Sequence, residues 1–267
     1  MLDLARDTIF VALAGSRGHG TAQPGSDIDL RGICVAPLDV RVSLFTRFEQ
    51  HEAPLDGALW DTVRAQLESH ESAQHGAASK TESVVYDVAK FLRMCAGANP
   101  NALELLFADP RDWLLETLSW RRIHAERARF LTKRVQQTYL GYAMAQLRKI
   151  ETHRAAQRDP AAQSKRNPVR AELERKHGYD TKHAMHLVRM MRTALEVLER
   201  GDLRVRRDDA AELLAIRDGA LSFEALLETA ATLRERMEAA ALRSTLPEDV
   251  DYGFVDALAF NVIEAAR

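Results

Sequence analysis

Cysteine is scarce in this chain: there are two, Cys34 and Cys95, and both have apolar neighbours. Two isolated cysteines do not build a disulfide framework, and they indicate buried thiols in a reducing compartment. No apolar run approaches the roughly 20 residues that a membrane-spanning helix needs. The apolar N-terminus is interrupted by Asp3, Arg6 and Asp7, which is not the pattern of a secretory signal. We therefore expect a cytoplasmic protein without a membrane partner.

An excess of charge of one sign is also missing, because the formal net charge is −2 over 267 residues. A balanced chain gives no global reason to expect a nucleic-acid partner, so local charge has to be considered. Residues 146–192 contain 12 Lys and Arg against 5 Asp and Glu, a local charge of +7. Such a segment suits a nucleic-acid backbone, although amphipathic helices also carry arginines on their solvent side.

Three short stretches rich in β-branched and apolar residues predict strands, at residues 8–13, 27–36 and 82–88. From Trp113 onward the apolar spacing is helical and no strand pattern recurs. The sequence therefore predicts an α+β protein, with a sheet-containing domain over residues 1–115 and an all-helical domain over residues 116–267. Two prolines predict a loop over 159–169, and the predicted helices include residues 59–67, 88–95, 101–107, 180–198, 208–217, 222–240 and 250–266.

A pair of acids, Asp27 and Asp29, begins the second predicted strand. Side chains two residues apart on a strand point to the same face, while Ile28 between them points into the core. Two carboxylates about 6–7 Å apart along a strand repel each other unless a cation lies between them. A hard divalent cation with oxygen ligands fits this position. The alternative is a solvated strand edge.

A turn, Gly15-Ser16, directly follows the first predicted strand. Its backbone N–H groups and hydroxyl suit a phosphate. The next residue, Arg17, is either a further phosphate ligand or a solvent-exposed loop residue. A metal site beside a phosphate-binding turn is typical of phosphoryl or nucleotidyl transfer.

Residues 15–18 (GSRG) followed by residues 26–32 (SDIDLRG) resemble the signature of nucleotidyltransferases of the DNA polymerase beta superfamily. The narrower resemblance is to the group of predicted nucleotidyltransferases within it. Motifs that fit this group continue at 86–91 (YDVAKF), 99–100 (NP), 104–106 (ELL), 141–143 (GYA) and 182–189 (KHAMHLVR). The resemblance implies a small mixed-sheet core with a C-terminal helical part. It also implies two Mg²⁺ (or Mn²⁺) ions and transfer of an NMP from an NTP, with release of pyrophosphate.

The resemblance also implies a third carboxylate on a neighbouring strand, and two residues are candidates. Glu82 lies four residues before Tyr86, as the family pattern requires, whereas Asp87 could instead cap the helix predicted to start at Val88. We favour Glu82. Asp27 and Asp29 would then hold both metal ions, with Glu82 as an extra ligand and a base.

Three cations, Lys182, His186 and Arg189, have the i, i+4, i+7 spacing of one helix face. Lys182 would neutralise a triphosphate as a point charge, and Arg189 would bind phosphate oxygens with two N–H groups. This set, together with Gly15, Ser16 and Arg17, forms our predicted nucleotide-binding residues. The alternative is a solvated helix face.

The sequence as a whole favours an enzyme that transfers a nucleotide from an NTP, with an RNA 3′ end as the favoured acceptor. One alternative is nucleotidylation of a protein or of a small-molecule hydroxyl. Another is a regulator that binds nucleotides without catalysis. The sequence does not define the preferred NTP, the number of nucleotides added or the oligomeric state.

Overall fold

The computed structural model describes residues 1–70, 80–156 and 168–266. The chain forms two compact units. The first consists of Met1–Leu131, Arg204–Arg207 and the chain from Asp249 onward, and the second consists of Thr132–Leu203 and Asp208–Glu248.

The first unit contains a five-stranded sheet in the order β3-β4-β2-β1-β5. The β2 and β4 strands pair in parallel, and the other neighbours are antiparallel, so the sheet is mixed, as expected. The strands are β1 (Thr8–Ala14), β2 (Ile28–Cys34), β3 (Gln50–His51), β4 (Thr81–Asp87) and β5 (Trp113–Glu116).

The helices of the first unit, in chain order, are α1 (Leu4–Asp7), α2 (Gly15–Gly18), α3 (Leu38–Arg41), α4 (Gly57–Ser69), α5 (Val88–Ala96), α6 (Pro100–Leu106), α7 (Leu118–Ala125) and the last helix, α13 (Tyr252–Ala265). Short 3₁₀ helices occupy Pro110–Asp112 and Arg127–Phe130. No helix in the described part of the chain is long and apolar enough to cross a membrane.

The β1 strand lies inside the sheet, between β2 and β5, and its first six residues are buried. Both of its faces are covered, because Phe10 stacks on Trp120 with ring centroids 3.7 Å apart, while Val11 and Leu13 pack in a cluster with α4. A strand covered on both faces needs a continuous apolar run rather than alternation. This burial explains why the sequence pattern of β1 was easy to recognise.

The expectation that no strand follows Trp113 is wrong. Residues Trp113–Glu116 form β5, in which Leu115 pairs with Val11 of β1. A four-residue edge strand is too short for its apolar periodicity to be distinguished from that of a helix.

The second unit is helical. Its helices are α8 (Val135–Ala156), α9 (Pro168–His177), α10 (Thr181–Arg200), α11 (Ala210–Arg217) and α12 (Phe223–Arg243). The α10 helix packs against α8, α11 and α12. It begins where Asp180 accepts a hydrogen bond from the His183 N–H, and it ends at Gly201 with φ of 64°, as its sequence predicted. The predicted loop at 159–169 lies almost wholly outside the described residues.

Candidate functional site

The turn after β1 lies directly against an acid of β2. Gly15 has φ of +59°, in the left-handed region, and a Cβ atom built on it would lie 2.0 Å from Oδ2 of Asp29. Only glycine satisfies both the backbone conformation and this close approach. The predicted phosphate turn and one predicted metal ligand therefore share one site.

The register of the sheet brings a second acid to the same place. Asp29 pairs with Ala14 of β1 on one side and with Glu82 of β4 on the other. Asp27 lies one residue before β2 begins and is exposed. Because paired residues in a sheet point to the same face, the side chains of Asp29 and Glu82 project from the same face of the sheet.

The other two acids influence Asp29 electrostatically. Burial raises the pKa of Asp29, the Arg31 guanidinium lowers it, and the negative charges of Glu82 and Asp27 raise it again. Arg31 lies 3.5 Å from Asp29 and offsets only part of this negative charge. Carboxylates that raise one another's pKa in this way are of the type that divalent cations bind.

The donor set fits a hard divalent cation, because it consists of carboxylates that already interact with one another. Their ligand oxygens are not all within 4.8 Å of one another, however. Glu82 is exposed, and its Oε1 accepts a hydrogen bond from Lys80 Nζ at 2.6 Å. Asp27, Asp29 and Glu82 would therefore hold one shared ion only after their carboxylates move closer together.

The alternative third acid, Asp87, lies at the opposite end of β4 and pairs with Cys34. It lies five positions after Glu82, which corresponds to roughly 16 Å along a strand. Its carboxylate accepts hydrogen bonds from the Ala89 N–H at 2.9 Å, at the start of α5, and from Arg41 Nη2 at 2.6 Å. These contacts give Asp87 a structural role.

The loop between β1 and β2 is held by Arg17, which is only 2% exposed. Its Nε donates to the carbonyl of Asp27 at 3.2 Å, and its Nη2 donates to the carbonyl of Ser26 at 3.0 Å. The solvent-exposed alternative for Arg17 is therefore wrong. The half-buried Ser16 accepts a backbone hydrogen bond from Thr21 at 2.8 Å, which tightens the same loop.

The predicted cation face lies on α10, in the second unit. Lys182 and His186 are half-buried, and Arg189 is 5% exposed. Arg189 therefore does not lie on a solvated face. These three residues belong to the second unit, whereas the acids belong to the first. Their predicted role in nucleotide binding therefore stays a prediction.

A cationic cavity in the first unit, beside the β1–β2 loop, was not predicted from the sequence. It has a volume of about 470 Å³, and its lining includes Arg17, His70, Arg111, Trp113 and Arg206. These residues come from four distant segments, so no local motif could have identified them. Arg206 is fixed by Asp112, whose Oδ1 lies 2.6 Å from Nη2.

The family RlaP, described as "RNA repair pathway DNA polymerase beta family", matches residues 5–261. The chain belongs to this family. RlaP membership confirms the resemblance predicted from residues 15–32, and with it that the protein is an enzyme, a nucleotidyltransferase. The description also connects the family with an RNA repair pathway. The mixed sheet and the helical second unit agree with the predicted α+β fold class.

A solved structure of a nucleotidyltransferase-like protein from Exiguobacterium sibiricum 255-15 is also similar. It is 13% identical in sequence, with a TM-score of 0.28, and the match covers 89% of this chain and 69% of that chain. No curated protein matches the chain.

Proposed function

We propose that this RlaP protein transfers an NMP from an NTP to the 3′ end of an RNA and releases pyrophosphate. The observation that carries the proposal is the close approach of Gly15, in the turn after β1, to Asp29 of β2, which pairs with Glu82 of β4. It brings a turn suited to phosphate into contact with a set of carboxylates suited to divalent cations.

In this proposal Asp27, Asp29 and Glu82 hold divalent cations, Mg²⁺ or Mn²⁺, in a pair. Bound there, these cations supply charge neutralisation for the triphosphate and a lowered pKa for the acceptor hydroxyl. The backbone N–H groups at Gly15 and the hydroxyl of Ser16 bind the terminal phosphates. Arg17 keeps the Ser26 and Asp27 carbonyls, and with them the Asp27 carboxylate, in position.

The transfer step exchanges one P–O bond for another. The acceptor oxygen forms a bond to the α-phosphorus, and the bond from the α-phosphorus to the bridging oxygen breaks. Pyrophosphate leaves with the electron pair of that bond. The proton of the acceptor hydroxyl passes to Glu82, which is exposed and can reach solvent afterwards.

The choice of RNA as acceptor rests on the family description and on charge. Residues 146–192 carry a local charge of +7, which favours binding to a phosphodiester backbone. Within the same segment, we assign Lys182, His186 and Arg189 to the binding of phosphate groups. Nucleotidylation of a protein or a small-molecule hydroxyl is the alternative for the same catalytic residues.

The experiment incubates the protein with Mg²⁺ or Mn²⁺, each labelled NTP in turn, and RNA oligonucleotides that end in a 3′ hydroxyl or a 3′ phosphate. We expect the RNA to grow by one or more nucleotides. Asp27→Asn and Asp29→Asn should each lower the rate at least about 100-fold, because a metal ligand contributes several kcal/mol to transition-state stabilisation. Asp61→Asn is the matched control, since Asp61 is an exposed acid of the same unit on α4.

The outcomes separate the alternatives. Label on protein instead of RNA would support the second acceptor class. Binding of NTP without transfer to any acceptor would support a regulator. If Asp29→Asn stayed as active as Asp61→Asn, the carboxylate site would be refuted.

A further inference from the structure

Four ionisable side chains of the second unit meet at the start of α10, and the proposed transfer reaction uses none of them. His153 comes from α8, Glu174 from α9, Asp180 precedes α10, and His183 lies in its first turn. His153 Nδ1 lies 3.2 Å from Glu174 Oε1 and 3.9 Å from Asp180 Oδ2. His183 Nε2 lies 3.7 Å from the same Asp180 oxygen. One ligand atom from each of His153, Asp180 and His183 lies within 4.8 Å of the others.

The burial of this cluster makes its charge costly. Asp180 is fully buried, Glu174 is 3% exposed and His183 is 6% exposed. Both carboxylates face one imidazole nitrogen, His153 Nδ1, which can carry one proton and so can donate to only one of them fully. Buried carboxylates and imidazoles at these separations are side chains of the kind that hold a transition-metal ion.

The hydrogen-bond partner of His183 Nδ1 identifies Nε2 as the nitrogen that faces the cluster. Gln146 Oε1 lies 2.7 Å from His183 Nδ1, and an amide oxygen only accepts hydrogen bonds. Nδ1 therefore donates to Gln146, which leaves Nε2 as the nitrogen that faces the carboxylate of Asp180. A histidine that donates through one nitrogen to an oxygen and presents the other to a shared centre is the usual arrangement of a metal ligand.

We propose that His153, Glu174, Asp180 and His183 bind one divalent transition-metal ion of the Zn²⁺ class. At metal–ligand distances of about 2.0–2.1 Å, the edges of a tetrahedral site are roughly 3.3–3.4 Å. The separations of 3.2, 3.7 and 3.9 Å are close to this value, and Glu174 must move to join the other three ligands, because it lies outside the group whose ligand atoms are within 4.8 Å of one another. Two imidazoles and carboxylates suit zinc better than magnesium. Two neutral histidines and two carboxylates around a doubly charged ion also make the buried site neutral.

The site is structural, because four protein ligands would complete a tetrahedron and three of the four residues are buried. It ties α8 and α9 to the first turn of α10, the turn that carries Lys182. It shares no residue with the Asp27, Asp29 and Glu82 set. Its existence therefore does not depend on the proposed transfer reaction.

The test measures metal retained by the full chain. The protein is incubated with Zn²⁺, dialysed to remove loosely bound ions, and its zinc content is determined by mass spectrometry. We expect one zinc per chain in the unmodified protein and in the Asp27→Asn/Asp29→Asn double variant. His153→Gln should lose this zinc. His177→Gln is the matched control, because His177 lies on α9 of the same unit, outside the cluster, and it should retain the ion.

A second measurement, the Tm with and without Zn²⁺, distinguishes the loss of a metal ligand from misfolding of a variant. Zn²⁺ should raise the Tm of the unmodified protein and of His177→Gln but leave the Tm of His153→Gln unchanged, since only a ligand of the folded state stabilises it. His153 is the better site for substitution than His183 because its side chain is 31% exposed. The proposal is overturned if the unmodified protein retains no zinc, or if His153→Gln retains as much as His177→Gln. Loss of zinc in the Asp27→Asn/Asp29→Asn variant alone would assign the ion to the carboxylate site and would equally overturn the proposal.

Discussion

Asp29 and Glu82 are direct partners in the parallel pairing of β2 with β4, although 52 positions separate them in the sequence. The pairing explains how a third carboxylate, from a distant strand, comes to lie beside the second acid of the D-x-D motif. It also separates the roles of the two acids of β4, because Asp87 occupies the far end of the same strand.

We therefore predict opposite effects for Glu82→Gln and Asp87→Asn. Glu82→Gln should abolish metal-dependent transfer while changing the free energy of unfolding little, since Glu82 is exposed. Asp87→Asn should lower the free energy of unfolding by about 1–3 kcal/mol, because it removes the charge that pairs with Arg41 at 2.6 Å. Urea unfolding and transfer assays on both variants test this. Retained activity in Glu82→Gln together with lost activity in folded Asp87→Asn would reverse the assignment.

Gly15→Ala should reduce transfer by about 100-fold or more, because the new Cβ displaces the Asp29 carboxylate, and small misplacements of catalytic groups are costly. Gly25→Ala is the matched control: Gly25 has φ of +78°, yet a Cβ there meets no atom within 4 Å. Both variants should lose about 1–2 kcal/mol from left-handed strain. Equal activities of the two variants would show that the contact between Gly15 and Asp29 has no functional importance.

The Arg17→Lys variant distinguishes a positioning role from phosphate binding. A lysine ammonium does not reproduce the forked donors that span the carbonyls of Ser26 and Asp27. We expect faster hydrogen exchange of the amides in residues 19–27 and a lower kcat, with the KM for NTP little changed. A higher KM with unchanged exchange would indicate instead that Arg17 binds the phosphates directly.

The acid dependence of stability should contain a contribution from Asp109, which accepts hydrogen bonds from Arg111, a residue that lines the cationic cavity. The side-chain hydrogen bond from Arg111 lowers the pKa of Asp109 to about 2, from an ordinary value of 3.8. Because the folded-state pKa is the lower one, this stabilisation is present above pH 3.8 and is lost as the pH falls towards 2. We expect about 1 kcal/mol at neutral pH, since Arg111 is largely exposed and solvent screens the pair.

Unfolding of Asp109→Asn and of the unmodified protein, compared at neutral and at acid pH, measures this contribution. The difference between them should shrink as the pH falls. In an Arg111→Gln background the same substitution should have little effect, because the partner is already missing. A difference that does not change with pH would contradict the cause given for the shift.

The sequence predicted best those features whose physical signal is local. The continuous apolar run of β1, the cap at Asp180 and the left-handed Gly201 were all recognised, because each depends on a few neighbouring residues. The motif at residues 15–32 predicted the family, and RlaP membership confirmed this prediction.

Features that depend on pairing between distant segments were missed or left open. β3 and β5 are too short to show a period, so only their pairing with β4 and β1 defines them as strands. Arg17 was open between two roles because its acceptors are carbonyl groups, which carry no sequence signal. The cluster around Asp180 combines residues from three helical segments whose meeting requires tertiary structure.

The chain enters the first unit again through α13, after it has passed through the second. The α13 helix packs against α5 and α7, and its Phe254 ring receives the Arg129 guanidinium at 3.3 Å and lies 6.1 Å from the ring of Phe130. During synthesis, the apolar surface of the unit that holds all three acids is therefore covered only after α13 has left the ribosome. A chain that stopped before residue 249 would keep every residue of the carboxylate site and still expose that surface.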